Sequence, residues 1–207
     1  MSPFKYVFDR TVAFLGLVVL ALPMAAIAIK VRVTMPGGPV LFRQKRVGKD
    51  GILFQIHKFR TMDNEKEVSS IAYPNKARIT SFGAWLRRYK LDELPELWDV
   101  LIGHMSFVGP RPDVPGYADK LQGDDRVVLK MRPGITGPAT LKYRDEEHLI
   151  EAYVKQAKAD GDTRTEEEIA RWYNDEVIYP DKVRINVDYY HNHSFFNDIK
   201  IILQTIV

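Results

Sequence analysis

The segment Thr11–Ile29, TVAFLGLVVLALPMAAIAI, decides the kind of fold that this chain adopts, because it contains no charged residue. At a rise of about 1.5 Å per residue, a helix of this length measures roughly 28 Å, close to the hydrocarbon thickness of a bilayer. Pro23 lies past the middle of the segment, where it removes a helical hydrogen bond and predicts a bend near Ala21–Met24. The sequence therefore predicts a bent, membrane-associated helix over residues 1–32.

Basic residues flank the segment on both sides, with Lys5 and Arg10 before it and Lys30 and Arg32 after it. This symmetry gives a spanning helix no clear orientation, whereas a re-entrant helix keeps both ends on the cytoplasmic face. A re-entrant helix is therefore the favoured interpretation. A single span, a cleaved signal sequence and a buried core helix are the alternatives. The small residues of Ala26–Ala28 resemble a signal-peptide cleavage site, but Asp9 falls within what would be the basic region of a signal sequence.

The overall composition is that of a globular domain with a modest positive charge. Of the 207 residues, 45% are hydrophobic and 28% are charged, and the formal net charge is +3. A charge this small does not indicate a nucleic-acid-binding protein. The chain has no cysteine, which excludes disulfides, a thiolate nucleophile and a cysteine-based zinc site.

Two short, aromatic-rich runs around Asp50-Gly51, in LFRQKRVGKDGILFQIHKFRTM (41–62), predict a β-hairpin. Its basic residues are Arg43, Lys45, Arg46, Lys49, Lys58 and Arg60. They form either a solvated basic face near anionic lipid headgroups or a phosphate site, for which Lys58 and Arg60 are the best candidates. The polar residues 63–78 that follow predict a loop or a short helix.

Two adjacent carboxylates, Asp92 and Glu93, lie in LDELPELWDVLI (91–102), between helices predicted over 79–89 and 96–102. One interpretation makes Asp92 an N-cap of the second helix, with Glu93 complementing its dipole. The other interpretation is functional, since a carboxylate can bind Mg²⁺ or attack phosphorus as a nucleophile. Adjacent helical residues point about 100° apart, so the pair predicts two roles rather than one chelating unit.

Arg111 lies between two prolines in Gly109–Pro112, a stiff turn that we call the arginine corner. Because proline fixes φ, the corner predicts an arginine that is preorganised for an anion or for a structural salt bridge. A second Gly/Pro-rich loop, MRPGITGP (131–138), ends close to Arg144. Farther on, the charged segment (145–181) predicts helices. The apolar stretch from Ser194 predicts either core or an amphipathic helix at the membrane interface.

Five sequence blocks together resemble the bacterial sugar transferase family, and specifically its small, single-domain members, the monotopic phosphoglycosyl transferases. The blocks are LFRQKRVG, HKFRTM, SFGAWLRRYKLDELPELWDVLIGHMSFVGPRP, RPGITG and VDYYHNHSFFNDIKI. The resemblance implies an α+β fold that is mostly helical. It implies a re-entrant membrane helix at 1–32, followed by a cytoplasmic-face catalytic domain at 33–207. That domain would contain a small β-hairpin and a helical catalytic core with interfacial amphipathic helices.

Members of this family transfer a phosphosugar from a UDP-sugar to polyprenyl phosphate, such as undecaprenyl phosphate, and release UMP during glycoconjugate and polysaccharide synthesis. The resemblance implies that Asp92 is the nucleophile, which forms a covalent phosphosugar intermediate, and that Glu93 assists with proton transfer or metal. It implies Mg²⁺ at Asp92 and Glu93, and phosphate-binding roles for Lys58, Arg111 and Arg144. It also implies the cytoplasmic face of the bacterial inner membrane, with membrane lipids as partners and no nucleic acid. Self-association into a homo-oligomer is an open expectation.

The chain departs from the family pattern in three ways. Leu22 precedes Pro23 where many members have serine, and Pro138 followed by LKYRD replaces a tryptophan and a Gly-Arg pair. The charged segment also looks longer than in compact members. A membrane-anchored, non-catalytic scaffold of the same pathway is the alternative function, against which the intact pair of Asp92 and Glu93 argues.

Overall fold

The computed structural model describes residues 3–63 and 78–206, and these residues form an α+β fold that is mostly helical, as predicted. The helices are α1 (Pro3–Thr34), α2 (Ser81–Arg88), α3 (Glu96–Leu101), α4 (Pro138–Lys142), α5 (Glu146–Ala159), α6 (Glu166–Tyr173), α7 (Tyr179–Asn192) and α8 (Phe195–Ile206). The strands are β1 (Leu41–Val47), β2 (Leu53–Phe59), β3 (Ser106–Val108) and β4 (Gly134–Thr136). Short 3-10 turns lie at Lys49–Gly51, Leu91–Glu93, Ala118–Lys120 and Gly123–Lys130, and a π-helical turn lies at Asn174–Ile178. The loop or short helix predicted over 63–78 falls almost entirely outside the described residues.

Helix α1 is assigned as one helix of 32 residues, and Pro23 does not interrupt it. Within residues 3–63 and 78–206 it is the one helix that is long and apolar enough to cross a membrane. Only 11% of its most apolar window is buried, which disfavours the alternative of a fully buried core helix. Its buried residues Ala13, Ile27 and Val31 share one helical face, and the opposite face is exposed and apolar.

The buried face of α1 meets the rest of the chain at both of its ends. Near the N-terminal end, the Lys5 ammonium lies 2.5 Å from a carboxylate oxygen of Asp198 in α8. Near the C-terminal end, Val31 packs in one apolar cluster with Phe59 and Leu86. One face of α1 therefore packs on the rest of the fold, which disfavours the interpretation as a cleaved signal sequence.

The predicted hairpin is confirmed, with β1 and β2 antiparallel and Leu41 opposite Phe59. Its turn contains Asp50 at φ 58°, a conformation that a short polar residue tolerates. Along β2, Phe54 and Ile56 face the core, and strand alternation places Lys58 next on the same face. This alternation turns the Lys58 side chain toward the interior of the domain.

A second sheet, which the sequence did not predict, pairs β3 with β4 in parallel, with Ser106 opposite Gly134. Both strands have three residues; β4 lies within the predicted Gly/Pro-rich loop 131–138, and β3 directly precedes the arginine corner. The backbones approach closely, because a Cβ atom on Gly134 would lie 2.2 Å from the backbone nitrogen of Gly109. The sheet therefore fixes the start of the arginine corner.

The charged segment is helical, as predicted, and forms α5, α6 and the start of α7 around its own apolar cluster, which includes Ile150 and Ile169. Thr165 caps α6 in a reciprocal capping box with Glu168. Helix α8 has a buried residue, Ile201, and a largely exposed one, Phe196. It therefore contributes to the core and also presents an apolar surface.

Candidate active site

The two adjacent carboxylates lie on the 3-10 turn Leu91–Glu93, which we call the dyad turn. Lys90 precedes it in the left-handed conformation, at φ 55°, and this residue ends α2 and reverses the chain toward α3. The helices predicted on either side are confirmed, and Thr80 caps α2 by accepting a hydrogen bond from the Gly83 amide across 3.0 Å. The reversal holds the carboxylates between α2 and α3, close to the C-terminal end of β2.

The interpretation of Asp92 as a helix N-cap is wrong. Helix α3 begins after Pro95, and no side chain caps it. The Asp92 side chain is instead buried, and its Oδ1 atom has no hydrogen-bond partner among the described residues. A buried carboxylate oxygen without a partner is costly unless a ligand or a metal ion satisfies it. The position of Asp92 therefore favours a functional role.

Glu93 is held between two cations. Its Oε1 atom accepts a hydrogen bond from Lys58 Nζ across 2.6 Å and from Arg111 Nη2 across 2.5 Å. The structure thus brings together Lys58 from β2, Glu93 from the dyad turn and Arg111 from the arginine corner. Three of the residues predicted for the site meet, although 35 residues separate Lys58 from Glu93 and 18 separate Glu93 from Arg111.

The pKa values of the two adjacent acids, Asp92 and Glu93, are shifted in opposite directions. Burial, and then the charge of Glu93, raise the pKa of Asp92 above its ordinary value. Burial also opposes ionisation of Glu93, but the charges of Arg111 and Lys58 outweigh burial and hold the pKa of Glu93 well below its ordinary value. Glu93 is therefore a firmly ionised carboxylate, and Asp92 is the less acidic of the pair. This division supports two separate roles.

Glu96 is a third acid of the site, which sequence reasoning missed. Its side chain is 2% exposed, and Lys58 Nζ lies 3.2 Å from its Oε1 atom, so Lys58 is shared between Glu93 and Glu96. Burial raises the pKa of Glu96 to about 7. The sequence carried no signal for this role, because Glu96 follows Pro95 and looks like an ordinary first-turn glutamate.

A hydrogen-bonded pair, Asp99 and His57, joins α3 to β2 next to the site. Asp99 of α3 is fully buried, and its two carboxylate oxygens contact His57 of β2, one at the ring Nδ1 across 2.8 Å and one at the backbone amide across 2.9 Å. This pair fixes α3 against β2 next to Lys58. It is a packing contact that the sequence pattern did not predict.

Two other predicted phosphate ligands, Arg60 and Arg144, make hydrogen bonds away from the dyad turn. Arg60 is buried, and its Nη2 donates to the Met35 carbonyl just after α1. Arg144 is exposed and donates to the Gln204 carbonyl near the end of α8 across 2.6 Å. These contacts are structural, and no described contact joins Arg60 or Arg144 to the dyad turn.

The fit of the site to Mg²⁺ rests on Asp92. Its buried, unpartnered oxygen is a hard ligand of the kind that Mg²⁺ prefers, and substrate phosphates and water commonly supply the other ligands. Glu93 already binds Lys58 and Arg111 in this arrangement. Among residues 3–63 and 78–206, no group of three His, Cys, Asp or Glu side chains is placed to hold a metal. Asp92 is therefore the better of the two predicted ligands.

With this geometry in place, comparison with known proteins is informative. A family model for the bacterial sugar transferases matches residues 1–207, which is the whole sequence. The chain belongs to the bacterial sugar transferase family. The family predicted from the sequence blocks is therefore confirmed, and so is the prediction that the chain is an enzyme of a transferase family.

This transferase matches different fractions of the lengths of its individual relatives. It is 42% identical over 123 residues, 58% of its own length, to a putative undecaprenyl-phosphate N-acetylgalactosaminyl 1-phosphate transferase of Bacillus subtilis (strain 168), and spans 68% of that protein. It is 30% identical over 206 residues, 98% of its length, to an uncharacterized sugar transferase of the same strain, and spans 85% of it. It is 36% identical over 178 residues, 83% of its length, to the UDP-glucose:undecaprenyl-phosphate glucose-1-phosphate transferase of Escherichia coli (strain K12), but spans only 38% of that protein.

Proposed function

We propose that this chain transfers a sugar 1-phosphate from a UDP-sugar to undecaprenyl phosphate, releasing UMP, in polysaccharide or other glycoconjugate synthesis. Membership of the family and the named activities of its relatives support the reaction class. The observation that carries the proposal is Asp92. It is a buried carboxylate with an unpartnered oxygen, beside a glutamate that two cations keep ionised.

In the first half-reaction, a carboxylate oxygen of Asp92 attacks the phosphorus that carries the sugar. The bond from that phosphorus to the oxygen bridging the two phosphoryl groups breaks, and UMP leaves with this oxygen and its electron pair. In the second half-reaction, an oxygen of undecaprenyl phosphate attacks the same phosphorus. The bond to Asp92 then breaks, and the carboxylate is regenerated.

Lys58 and Arg111 bind the donor diphosphate in this scheme, and they already surround a carboxylate at hydrogen-bond distance. Glu93 keeps both cations beside Asp92 before the donor arrives. Asp92 is the residue that would hold Mg²⁺, which would supply positive charge beside the diphosphate and the departing UMP. Cations fixed in a protected site stabilise such charge more strongly than water does, because they need not reorganise during the reaction.

The membrane disposition that we infer is monotopic, with both ends of α1 on the cytoplasmic face. The outward face of α1 is apolar, and its exposed large hydrophobic residues are Phe4, Val7, Val12, Phe14, Leu15, Val18, Val19, Leu22, Ile29 and Val33. A spanning helix would place its ends on opposite sides of about 30 Å of hydrocarbon. The contacts of Lys5 and Val31 with one folded domain favour a helix that enters and leaves on the same side. This arrangement brings the dyad turn to an acceptor that resides in lipid.

The test of the reaction is UMP release from a panel of UDP-sugars by the full chain in nanodiscs, with Mg²⁺ and undecaprenyl phosphate. Asp92→Asn removes the nucleophile and is expected to abolish release. Asp124→Asn, the same change at an exposed position, is the matched control and is expected to keep full activity. Release that survives in Asp92→Asn would refute the proposed role of Asp92. Silence of the folded, membrane-bound wild type across the panel would favour the non-catalytic scaffold.

A further inference from the structure

Arg46 of β1 links the hairpin to the arginine corner. Its side chain is half-buried, and its Nη1 donates to the carbonyl of Pro112 across 3.2 Å. Its Nη2 donates to the side-chain oxygen of Gln44 across 2.7 Å. One planar guanidinium thus bridges β1 to the residue that directly follows Arg111.

Backbone bonds reinforce this link on both sides of the corner. The amide of Val47 donates to the carbonyl of Asp113 across 2.8 Å, directly after the Arg46 contact. On the other side, the amide of Gly109 donates to the carbonyl of Thr136 across 2.9 Å. The end of β1 and the second sheet therefore hold the corner at its two ends, and Arg111 projects between them toward Glu93.

We propose that Arg46 is a positioning residue of the donor site, which holds the arginine corner so that Arg111 meets Glu93 and the donor diphosphate. The identity of the donor rests on the proposed function. Arg46 acts through Arg111, because one of its Nη groups donates to the residue that directly follows Arg111 and the other donates within β1.

The charge of Arg46 adds to this role. Burial, and then the charge of Arg111, lower the pKa of Arg46 below its ordinary value, although the charges of Asp113, Glu96 and Glu93 act in the opposite direction. Throughout the described ranges, no carboxylate oxygen lies within 4.0 Å of the Arg46 guanidinium. An anionic diphosphate at Arg111 would supply negative charge that both arginines attract.

Substitutions can separate the geometry of Arg46 from its charge. Arg46→Lys keeps the charge but loses the planar fork that reaches Pro112 and Gln44 together. Arg46→Met keeps much of the side-chain volume and removes both. Arg43→Met is the matched control, because Arg43 is exposed on the same strand and no described contact involves its side chain.

The experiment measures UDP binding by calorimetry, together with kcat and KM for UMP release, for the full chain in nanodiscs. Arg46→Lys is expected to weaken UDP binding and to raise the donor KM about tenfold, with kcat within about threefold of wild type. Arg46→Met is expected to weaken UDP binding further and to raise the donor KM further. Arg43→Met is expected to match wild type. If the Arg46 variants do not fold, Gln44→Leu removes one acceptor of the fork and is expected to weaken UDP binding about threefold.

Wild-type UDP affinity and KM in Arg46→Lys, or in Gln44→Leu when that variant is needed, would overturn the inference. A lower Tm with unchanged UDP affinity would also overturn it, because that result describes a residue that only stabilises the fold. UDP binding that depends on Arg46, without UMP release by the wild type, would support the inference and overturn the proposed reaction. A wild type that does not bind UDP would overturn both.

Discussion

Lys58 donates to the carboxylate of Glu93 across 2.6 Å, and this ion pair joins strand β2 to the turn that carries Asp92. The same ammonium lies 3.2 Å from a carboxylate oxygen of Glu96. Both partners of the pair are largely buried. A buried pair of this kind is strongly disrupted when one partner is removed, because the other charge is left without compensation.

Lys58→Met is therefore expected to reduce kcat/KM for UMP release by about 100-fold or more, the scale typical of losing one electrostatic contact in an active site. The variant loses a donor-phosphate ligand and leaves Glu93 with Arg111 as its remaining described cation. Lys45→Met, at an exposed position of the same hairpin, is the control and is expected to keep its activity. Equal activity of the two variants would remove Lys58 from the site.

Glu96 predicts a pH-dependent stability. Its pKa is raised by burial from 4.5 to about 7, so the folded state binds this proton more tightly than the unfolded state does. The stability that Glu96 contributes is therefore complete below about pH 4.5 and is lost as the pH rises through about 7, by up to about 3 kcal/mol at about 1.4 kcal/mol per pKa unit. Glu96→Gln abolishes this titration.

The Tm of Glu96→Gln relative to wild type is thus expected to be higher at pH 8 than at pH 5, as measured by differential scanning fluorimetry in detergent. Glu176→Gln, the same change at an exposed glutamate in the π-helical turn, is the matched control. A Glu96→Gln variant whose difference from wild type does not change with pH would show that Glu96 does not titrate in this range.

A methyl group added at Gly134 is expected to destabilise the fold, whereas one added at Gly16 is expected to be tolerated. A Cβ atom on Gly134 would meet backbone atoms at 2.2 Å and 2.5 Å, so Gly134→Ala is expected to separate β3 from β4 and to cost about 3 kcal/mol or more. The nearest atom to a Cβ on Gly16, in α1, is a flexible Leu97 carbon at 3.4 Å. Gly16→Ala is expected to be neutral or to stabilise the helix by up to about 1 kcal/mol. Chemical unfolding that ranks the two variants in the reverse order would refute this packing.

The monotopic arrangement predicts that both ends of α1 are accessible from the same side of the membrane. The chain has no cysteine, so Pro3→Cys and Pro36→Cys each introduce a single thiol beside one end of the helix. A membrane-impermeant maleimide is expected to label both variants in inverted inner-membrane vesicles and neither in intact spheroplasts. Labelling of the two variants from opposite sides would establish a span instead.

What the sequence predicted correctly depended mainly on local signals. The turn at Asp50-Gly51 and the cap at Thr80 act within a few residues, so the hairpin and α2 followed from the pattern. The parallel pairing of β3 with β4 did not, because each strand has three residues and their partner is distant in the chain. Family resemblance, rather than spacing, selected Asp92 as functional.

Glu96 and Arg46 escaped sequence reasoning for a related reason. Each is an ordinary residue for its element, a glutamate in a first helical turn and an arginine on a basic hairpin. Tertiary packing gives them their roles, since Glu96 is buried against Lys58 and Arg46 reaches the Pro112 carbonyl. Their partners lie 38 residues away for Glu96 and 66 residues away for Arg46, so local sequence periodicity does not indicate these contacts.

Intact-mass spectrometry of the full chain, incubated with a UDP-sugar and Mg²⁺ but no lipid acceptor, tests the central claim most directly. The wild type is expected to gain the mass of one sugar phosphate, and undecaprenyl phosphate is expected to remove it. Asp92→Asn is expected to gain no mass, and Asp124→Asn to behave like wild type. The same adduct on Asp92→Asn, or turnover by the wild type through no adduct at all, would contradict a covalent intermediate at Asp92.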